Sequence, residues 1–391
     1  MKGLQLNATW QPRPGYEPTQ REKNDRRADV GYNIWHEPRL DLINKPTPEP
    51  KDDEVLVKIG AAGVCGSDTT FLVKDSEGYT HYEGHCRFPC IIGHEFSGEV
   101  VGVGKKVRTF SIGDIITAET MNWCGECMPC RMGLFNQCQS LEEIGFTLDG
   151  GFAEYLVVKE KFCFNINDLV NIYGTKEMAL KVGALVEPTA VSYNGLFICG
   201  GGFMPGSYVG VFGCGATGLT SIILAKAAGA AKIIVFDLSE ARLELARKIG
   251  ADYAFNPIEL QNQNSSSADA ILEVTKGLGA HVQVEATENH NKTFPEIEKS
   301  LAIRGKIIQI GISSNRTSIA SSLLQKKGAS YFAFVGSSGH GIWPSVIRLM
   351  ASGKIDVSKI ISKCYSLDNA IQAIQDTKNG TPGKNIITPN G

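Results

Sequence analysis

Apolar residues are spread along this chain in two different rhythms. In the first part they alternate with polar residues at 54–59 and continue in short stretches at 98–103, 114–117 and 152–158, spaced by glycine-rich turns. A period of two marks a strand with one buried face, and several such strands in succession predict a β-rich domain. Residues 34–44 hold further short strands, residues 11–29 read as a polar loop or arm, and Pro46, Pro48 and Pro50 make an extended connector. From about residue 189 the rhythm changes. Apolar runs at 208–212 and 233–236 and candidate strands at 252–255, 281–285, 306–310 and 331–336 alternate with stretches of helical spacing. Short strands joined by crossover helices predict a doubly wound parallel sheet. An amphipathic stretch at 342–350 and a helix near 367–378 lie in a tail expected to return to the first domain. The class is therefore α/β, with 1–190 as the β-rich domain, 191–337 as the parallel-sheet domain and 338–391 as the return.

One turn in the second domain carries chemistry. Gly213-Cys214-Gly215-Ala216-Thr217-Gly218 follows the run 208–212 and opens the small-residue helical pattern 219–228. The run 233–236 then ends in Asp237, 19 residues past Gly218. Strand, glycine turn, helix, strand and acid in this order predict a dinucleotide site. Gly213 serves the tight turn, Gly215 the approach of backbone to a pyrophosphate, and Gly218 the packing of helix on strand. The N–H groups of Ala216 and Thr217 at the helix start face the phosphates. Asp237 is placed for the ribose hydroxyls and against a 2′-phosphate, which favours NAD over NADP; Arg242, five residues on, could reach the same ribose or tolerate a phosphate.

Composition narrows the setting. The charge balance is 39 basic against 41 acidic residues, or −2, without a basic run, so nucleic acid has little electrostatic support. No apolar run approaches a membrane span, and residues 1–10 lack the apolar core of a signal peptide. The expectation is a cytoplasmic enzyme whose eleven cysteines are reduced thiols or metal ligands.

Two groups of residues read as metal sites. Cys124, Cys127, Cys130 and Cys138 place four thiols within 15 residues of a loop punctuated by Gly125, Pro129 and Gly133. Four thiolates suit a closed, tetrahedral, structural Zn²⁺. An iron–sulfur cluster is the competitor, but the fourth cysteine comes too late for the ferredoxin spacing and has no proline behind it. The second group is scattered. Cys65 follows a strand in a glycine-flanked turn, His94 sits in Gly93-His94-Glu95, and Glu187 ends the apolar run Ala184-Leu185-Val186. Singly, each also reads as structural: a buried thiol, a core histidine, a capping acid. Together, a cysteine, a histidine and a carboxylate with one open position make a catalytic zinc site.

These residues resemble the zinc-dependent medium-chain dehydrogenase/reductase family. The resemblance is carried by Gly63-Val64-Cys65-Gly66-Ser67-Asp68, Gly93-His94-Glu95-Phe96-Ser97-Gly98, the four-cysteine loop, Asp149-Gly150-Gly151-Phe152-Ala153-Glu154-Tyr155, Val186-Glu187-Pro188 and the glycine turn with Asp237. It implies a GroES-like catalytic domain split around a Rossmann domain, two zinc ions per chain, a dimer or tetramer, and a small-molecule alcohol as substrate. It implies that Cys65, His94 and either Glu187 or Glu95 ligate the catalytic zinc, and that Ser67 is the relay hydroxyl. Glutamate at 187 is similar to the sorbitol and threonine dehydrogenase branch. The arm Trp10-x-Pro12-Arg13-Pro14, the insertion from Glu77 to Pro89, and Gly339-His340-Gly341 are similar to the cyclitol dehydrogenases of that branch, which act on inosose-type compounds. The chain departs from the branch at Thr70, where many members carry a relay histidine. A threonine hydroxyl can hydrogen-bond but cannot buffer a proton near neutral pH. His81, His85 and His340 are the candidates to replace it.

The expected reaction is hydride transfer between a secondary alcohol of a polyol or cyclitol and NAD, with Ser67, Thr70 and Glu95 as the polar groups around it. The alternatives are a threonine, sorbitol or simple-alcohol dehydrogenase. A zinc lyase or hydrolase would need neither the glycine turn nor Asp237, and no HExxH follows His94.

Overall fold

The computed structural model describes residues 1–313 and 316–391. The chain divides into two units, Met1–Glu187 with Ile361–Gly391, and Pro188–Ile360. The first unit begins with strands β1 (Lys2–Trp10), β2 (Trp35–Asn44), β3 (Glu54–Gly63), β4 (Cys90–Ile91), β5 (Glu95–Val103), β6 (Ile115–Ala118), β7 (Met121–Asn122), β8 (Glu142–Glu143), β9 (Tyr155–Lys159) and β10 (Cys163–Asn165). The second holds β11 (Tyr208–Phe212), β12 (Lys232–Phe236), β13 (Tyr253–Phe255), β14 (Ala280–Glu285), β15 (Leu301–Gln309) and β16 (Ser330–Ala333). Strands β17 (Ile361–Ser366) and β18 (Lys384–Thr388) belong to the first unit again.

The main sheet of the first unit runs β10-β6-β5-β3-β18-β17, with β9 also paired to β3. Strand β3 shows why. Val55, Val57 and Ile59 alternate with half-buried Leu56, Lys58 and Gly60 and are fully enclosed, each contributing about 1.5–3 kcal/mol by burial. From Ala61 to Gly63 both faces are covered, so the strand delivers its next residues, Cys65 among them, from a fixed point. A smaller sheet, β2-β1-β4, joins the first two strands to the short β4, and Trp35–Asn44 forms one strand rather than several short pieces.

The stretch 11–29 is not loop throughout. Gln20–Asp25 is helical, started by a capping box in which the Glu22 N–H donates to Thr19 Oγ1 and the Thr19 N–H to Glu22 Oε2. Thr19-x-x-Glu22 was the legible signal, but only six residues follow it before Arg26 turns left-handed, too few for a helical period to register.

The second unit is the doubly wound sheet, β13-β12-β11-β14-β15-β16, parallel throughout. Strand order reverses between β11 and β14, which sets a crevice at their carboxyl ends. Helices α3 (Ala216–Ala227), α4 (Glu240–Ile249) and α5 (Ile342–Ala351) belong to this unit; α1 (Gly66–Thr70), α2 (Lys176–Ala184) and α6 (Ala370–Lys378) belong to the first. The return begins at 361 rather than 338. Helix α5 buries Ile342, Trp343, Val346 and Met350, and Val357–Ile360 packs on α3 and α4, so this amphipathic stretch completes the second unit before the chain leaves it. Among the described residues no helix is long and apolar enough to cross a membrane.

Candidate active site and metal centres

The four cysteines form a small lobe between β7 and β8. Its core is Met121, Cys130, Cys138 and Leu141, with Trp123 and Phe135 against it. That is too little apolar surface to fix a loop, so the lobe needs a further constraint. The sulfurs supply the geometry for one. Cys124 and Cys138 Sγ lie 3.5 Å apart, Cys127 and Cys138 3.8 Å, Cys124 and Cys130 4.0 Å. None is a disulfide. Four sulfurs about 2.3 Å from a central ion sit about 3.8 Å from each other in a tetrahedron. Backbone N–H groups of Glu126 and Cys127 point at Cys124 Sγ and pull its thiol down to about 6, whereas burial pushes Cys130 up to about 12. The donor set and its spacing fit one Zn²⁺ with no position left for substrate.

The second cluster gathers residues from two places in the chain. Cys65, His94 and Glu95 present ligand atoms all within 4.8 Å of each other. Cys65 is the N-cap of α1, and its N–H donates to Asp68 Oδ2 at 2.9 Å. Glu95 begins β5 opposite Gly63, where an added Cβ would come within 2.2 Å of Glu95 Oε2. Only glycine at 63 leaves the carboxylate its place. Glu95 Oε1 accepts from Lys384 Nζ at 2.6 Å, and Lys384 also donates to the Val64 carbonyl at 2.9 Å. Both side chains are buried, and the carboxylates of Glu95 and Glu187 keep Lys384 charged against the pull of burial.

Four polar atoms here are enclosed without a hydrogen-bond partner: Glu95 Oε2, Ser67 Oγ, Asp68 Oδ1 and His94 Nδ1. Buried polar atoms are normally paired. Orphans beside a cysteine, a histidine and a carboxylate fit a metal with an open position. The electrostatics agree. Burial opposes a charged His94, yet the Cys65 sulfur, Asp68 and Glu187 hold its proton up to about 10, the demand a cation would satisfy. Burial pushes Asp68 up to about 6 and Glu187 up to about 7. Asp68 Oδ1 lies 3.8 Å from His94 Nδ1, on the side where a carboxylate orients a ligating imidazole. Glu187 influences His94 but is not among the three residues whose ligand atoms converge.

Thr70 and Thr69 both donate their hydroxyls to the Gly66 carbonyl, at 3.1 and 2.7 Å, and so serve the helix turn. Of the candidate replacements for a relay histidine, His81 and His340 are exposed, while His85 is half-buried with Nε2 2.9 Å from Glu143 Oε2. Glu154 is drawn away from the cluster: its Oε2 accepts from the Lys2 N–H.

Sequence reasoning missed Lys384. Its only trace was a lysine opening the apolar run Ile386-Ile387, in a strand whose pairing with β3 no local pattern announces.

In the second unit, Gly213 takes φ +94, and a Cβ there would meet the Ala286 carbonyl at 2.7 Å; a Cβ on Gly218 would meet the Gly213 carbonyl at 1.9 Å. Beside Gly215, by contrast, the space is open. Gly215 caps α3 without a side-chain hydrogen bond, leaving the N–H groups of the first turn, from Ala216 and Thr217 onward, for an anion. Asp237 is fixed by the Cys214 N–H on Oδ2 (2.8 Å) and the Ser239 N–H on Oδ1 (2.9 Å). Arg242 Nη1 lies 3.9 Å from the same carboxylate, and its Nε is buried without a partner. Tight glycines, an open cradle and a fixed acid fit a dinucleotide.

These are the parts of a metal-dependent dehydrogenase, a class in which one unit holds the coenzyme and another the ion. The chain belongs to the zinc-binding alcohol dehydrogenase family: residues 51–168 match the alcohol dehydrogenase GroES-like domain and residues 216–352 the zinc-binding dehydrogenase domain. It is 36% identical to scyllo-inosose 3-dehydrogenase of Thermotoga maritima, over 96% of each chain. It is 31% identical to L-threonine 3-dehydrogenase of Pyrococcus furiosus, over 89% of this chain and 94% of that one, and 30% identical to sorbitol dehydrogenase of Bacillus subtilis, over 88% and 92%. Among solved structures, one from Thermotoga maritima provisionally assigned as an alcohol dehydrogenase superposes with a TM-score of 0.93 at 34% identity, covering 99% of both chains.

Proposed function

We propose that the chain moves hydride between a secondary alcohol of a polyol or cyclitol, of inosose type, and NAD, using one catalytic and one structural zinc. The observation that carries this reading is the convergence of Cys65, His94 and Glu95 around an enclosed, unpartnered carboxylate oxygen. When bound, zinc would make the substrate hydroxyl acidic and the nicotinamide would take up the hydride.

The chain's own residues do the rest. Cys65, His94 and Glu95 hold the ion, with Glu187 as the further carboxylate close by. Asp68 fixes the Cys65 backbone, and Lys384 fixes one Glu95 oxygen while leaving the other free. Ser67, with its Oγ enclosed and unpartnered, accepts a hydrogen bond from the substrate hydroxyl and relays its proton onward to solvent. Asp237 binds the ribose hydroxyls and disfavours a 2′-phosphate, and Cys124, Cys127, Cys130 and Cys138 hold the second zinc.

A panel of inositols, inososes, sorbitol, threonine and ethanol, each with NAD and with NADP, tests the reading by absorbance of the reduced coenzyme. Turnover of a cyclitol with NAD is expected. Turnover of threonine alone would assign the chain to the threonine branch instead. Metal analysis should return about two zinc per chain.

A further inference from the structure

We propose that Tyr82, His85 and Glu143 form a polar subsite that recognises a substrate hydroxyl remote from the reacting carbon. The assignment rests on the polyol reading above and deepens it.

The three residues meet because the insertion before β4 is held from two sides. On one side lies the N-terminal arm. Ala28 and Cys86 exchange backbone hydrogen bonds, the Tyr32 N–H donates to the Tyr82 carbonyl at 2.9 Å, and Trp35 Nε1 donates to the Cys86 carbonyl at 3.1 Å. On the other side lies β8. Arg87 Nη2 donates to Glu142 Oε1 at 3.0 Å, and Arg27 Nη1 lies 3.5 Å from the same oxygen. Glu142 with two guanidinium groups is enough to dock the insertion.

Glu143 is therefore surplus to docking, yet it is only 8% exposed. An enclosed carboxylate is costly unless something offsets it. Its oxygen Oε2 faces His85 Nε2 at 2.9 Å, but Nε2 is itself shut off from solvent and makes no well-directed hydrogen bond. The pair thus keeps donor and acceptor capacity that a third group could use.

Tyr82 is joined to the ligand cluster through Phe146. Its ring stacks on Phe146 with centroids 5.5 Å apart, and the Phe146 ring lies 4.7 Å from that of His94. A Cβ on Gly84 would come within 2.5 Å of Tyr82 Oη, so the hydroxyl lies beside the residue preceding His85. The turn that carries Glu143 also seats Phe146: the Glu143 carbonyl accepts N–H groups from Phe146, Thr147 and Leu148. Burial raises the Tyr82 phenol, and Glu143, Cys65 and Asp68 add to the effect; Glu187 in turn feels Glu143. Phenol, dyad and ligand cluster share one neighbourhood.

The chemistry suits a hydroxyl, which both donates and accepts. The carboxylate accepts, and the imidazole and phenol donate. A simple alcohol has no second hydroxyl to satisfy them, and a site built to bind a hydroxyl penalises a molecule that lacks it.

The test uses the zinc-loaded full-length protein with NAD, with myo-inositol and 2-butanol as probes, and the variants Glu143→Gln and Tyr82→Phe. The ratio of kcat/KM for inositol over 2-butanol is expected to fall about 10- to 100-fold in each variant, with matching weakening of inositol binding to the NADH complex by calorimetry. A ratio within about twofold of wild type, whatever the absolute rates, would overturn the subsite. If Glu143→Gln loses zinc or fails to fold, singly deoxygenated inositols on the wild type decide: no position whose removal costs about tenfold or more in affinity overturns the proposal as well. Binding that is strong in wild type, lost in the variants and never followed by turnover keeps the subsite and overturns the functional reading. Turnover of inositol with an unchanged ratio does the reverse, and neither binding nor turnover overturns both.

Discussion

The four-cysteine lobe and the Cys65 cluster are both metal-type sites, but the chain assembles them in opposite ways. All four donors of the lobe come from residues 124–138, and their spacing alone brings the sulfurs to within 4.0 Å of a neighbour. The cluster draws Cys65 from the end of β3, Glu95 from the start of β5, and Lys384 from β18, which pairs with β3 across more than three hundred residues of sequence. The lobe is saturated with ligands and has hardly any core. The cluster is embedded in the main sheet and keeps polar atoms unsatisfied. A closed site can be made locally because a loop need only wrap an ion. An open, reactive site needs a rigid frame, and only a sheet supplies one.

Removing one donor from each site should separate their roles. Cys65→Ala is expected to lower kcat/KM by about three to four orders of magnitude while metal analysis still finds the lobe's zinc. Loss of both ions would mean that the two sites are not independent.

The frame itself is tested next. Lys384→Met strands a buried carboxylate and should destabilise the protein by about 3–5 kcal/mol in denaturant unfolding. Adding Glu95→Gln should recover much of that loss; a double variant no better than the single would deny the pair its importance.

Acid–base behaviour then distinguishes the cluster from the lobe. His94 is held up to about 10 in the folded protein, so its contribution is fully present below its unfolded value near 6.5 and disappears as pH rises through 10. Glu187, pushed up to about 7 by burial, favours the folded state while protonated and turns unfavourable as pH rises from about 4.5 through 7. Both groups make stability fall as pH rises. Zinc-stripped protein should therefore lose up to a few kcal/mol between pH 5 and 10, and zinc-loaded protein less, because the ion takes the place of the proton. Equal slopes with and without metal would place the ion elsewhere.

Cys127→Ser, by contrast, should cost one zinc and lower the unfolding midpoint by ~5–10 °C, with kcat/KM falling far less than in Cys65→Ala. The smallest effect belongs to the coenzyme unit. Asp237→Ala should weaken NAD by about tenfold and narrow its margin over NADP in fluorescence titrations. An unchanged preference would shift the discrimination to Arg242.

The coenzyme turn was as legible as the lobe, for the same reason: residues 208–237 are one continuous strand–turn–helix–strand unit, in which Gly213 and Gly218 answer close contacts and Gly215 leaves open space. The six strands of the parallel sheet were visible because each is a short stretch rich in apolar residues set between stretches of helical spacing. The short helix after Thr19 was missed because six residues span fewer than two turns. Residues 342–350 were recognised as amphipathic, but amphipathicity says that one face will be buried and not against which partner, so the return of the chain was placed too early.

By itself the sequence determined what depends on neighbours in the chain: the thiol spacing, the phosphate-binding turn, the acid that follows it and the strand-and-helix rhythm. Only the tertiary structure decided that Glu95 rather than Glu187 presents an oxygen beside Cys65 and His94, that Lys384 holds the other oxygen, that Thr70 is spent on its own helix turn, and that His85 faces Glu143. The physical reason is that a buried carboxylate takes whichever partner the packing offers. That partner is set by strand pairing and by where an insertion docks, and neither leaves a periodic trace in the residues themselves.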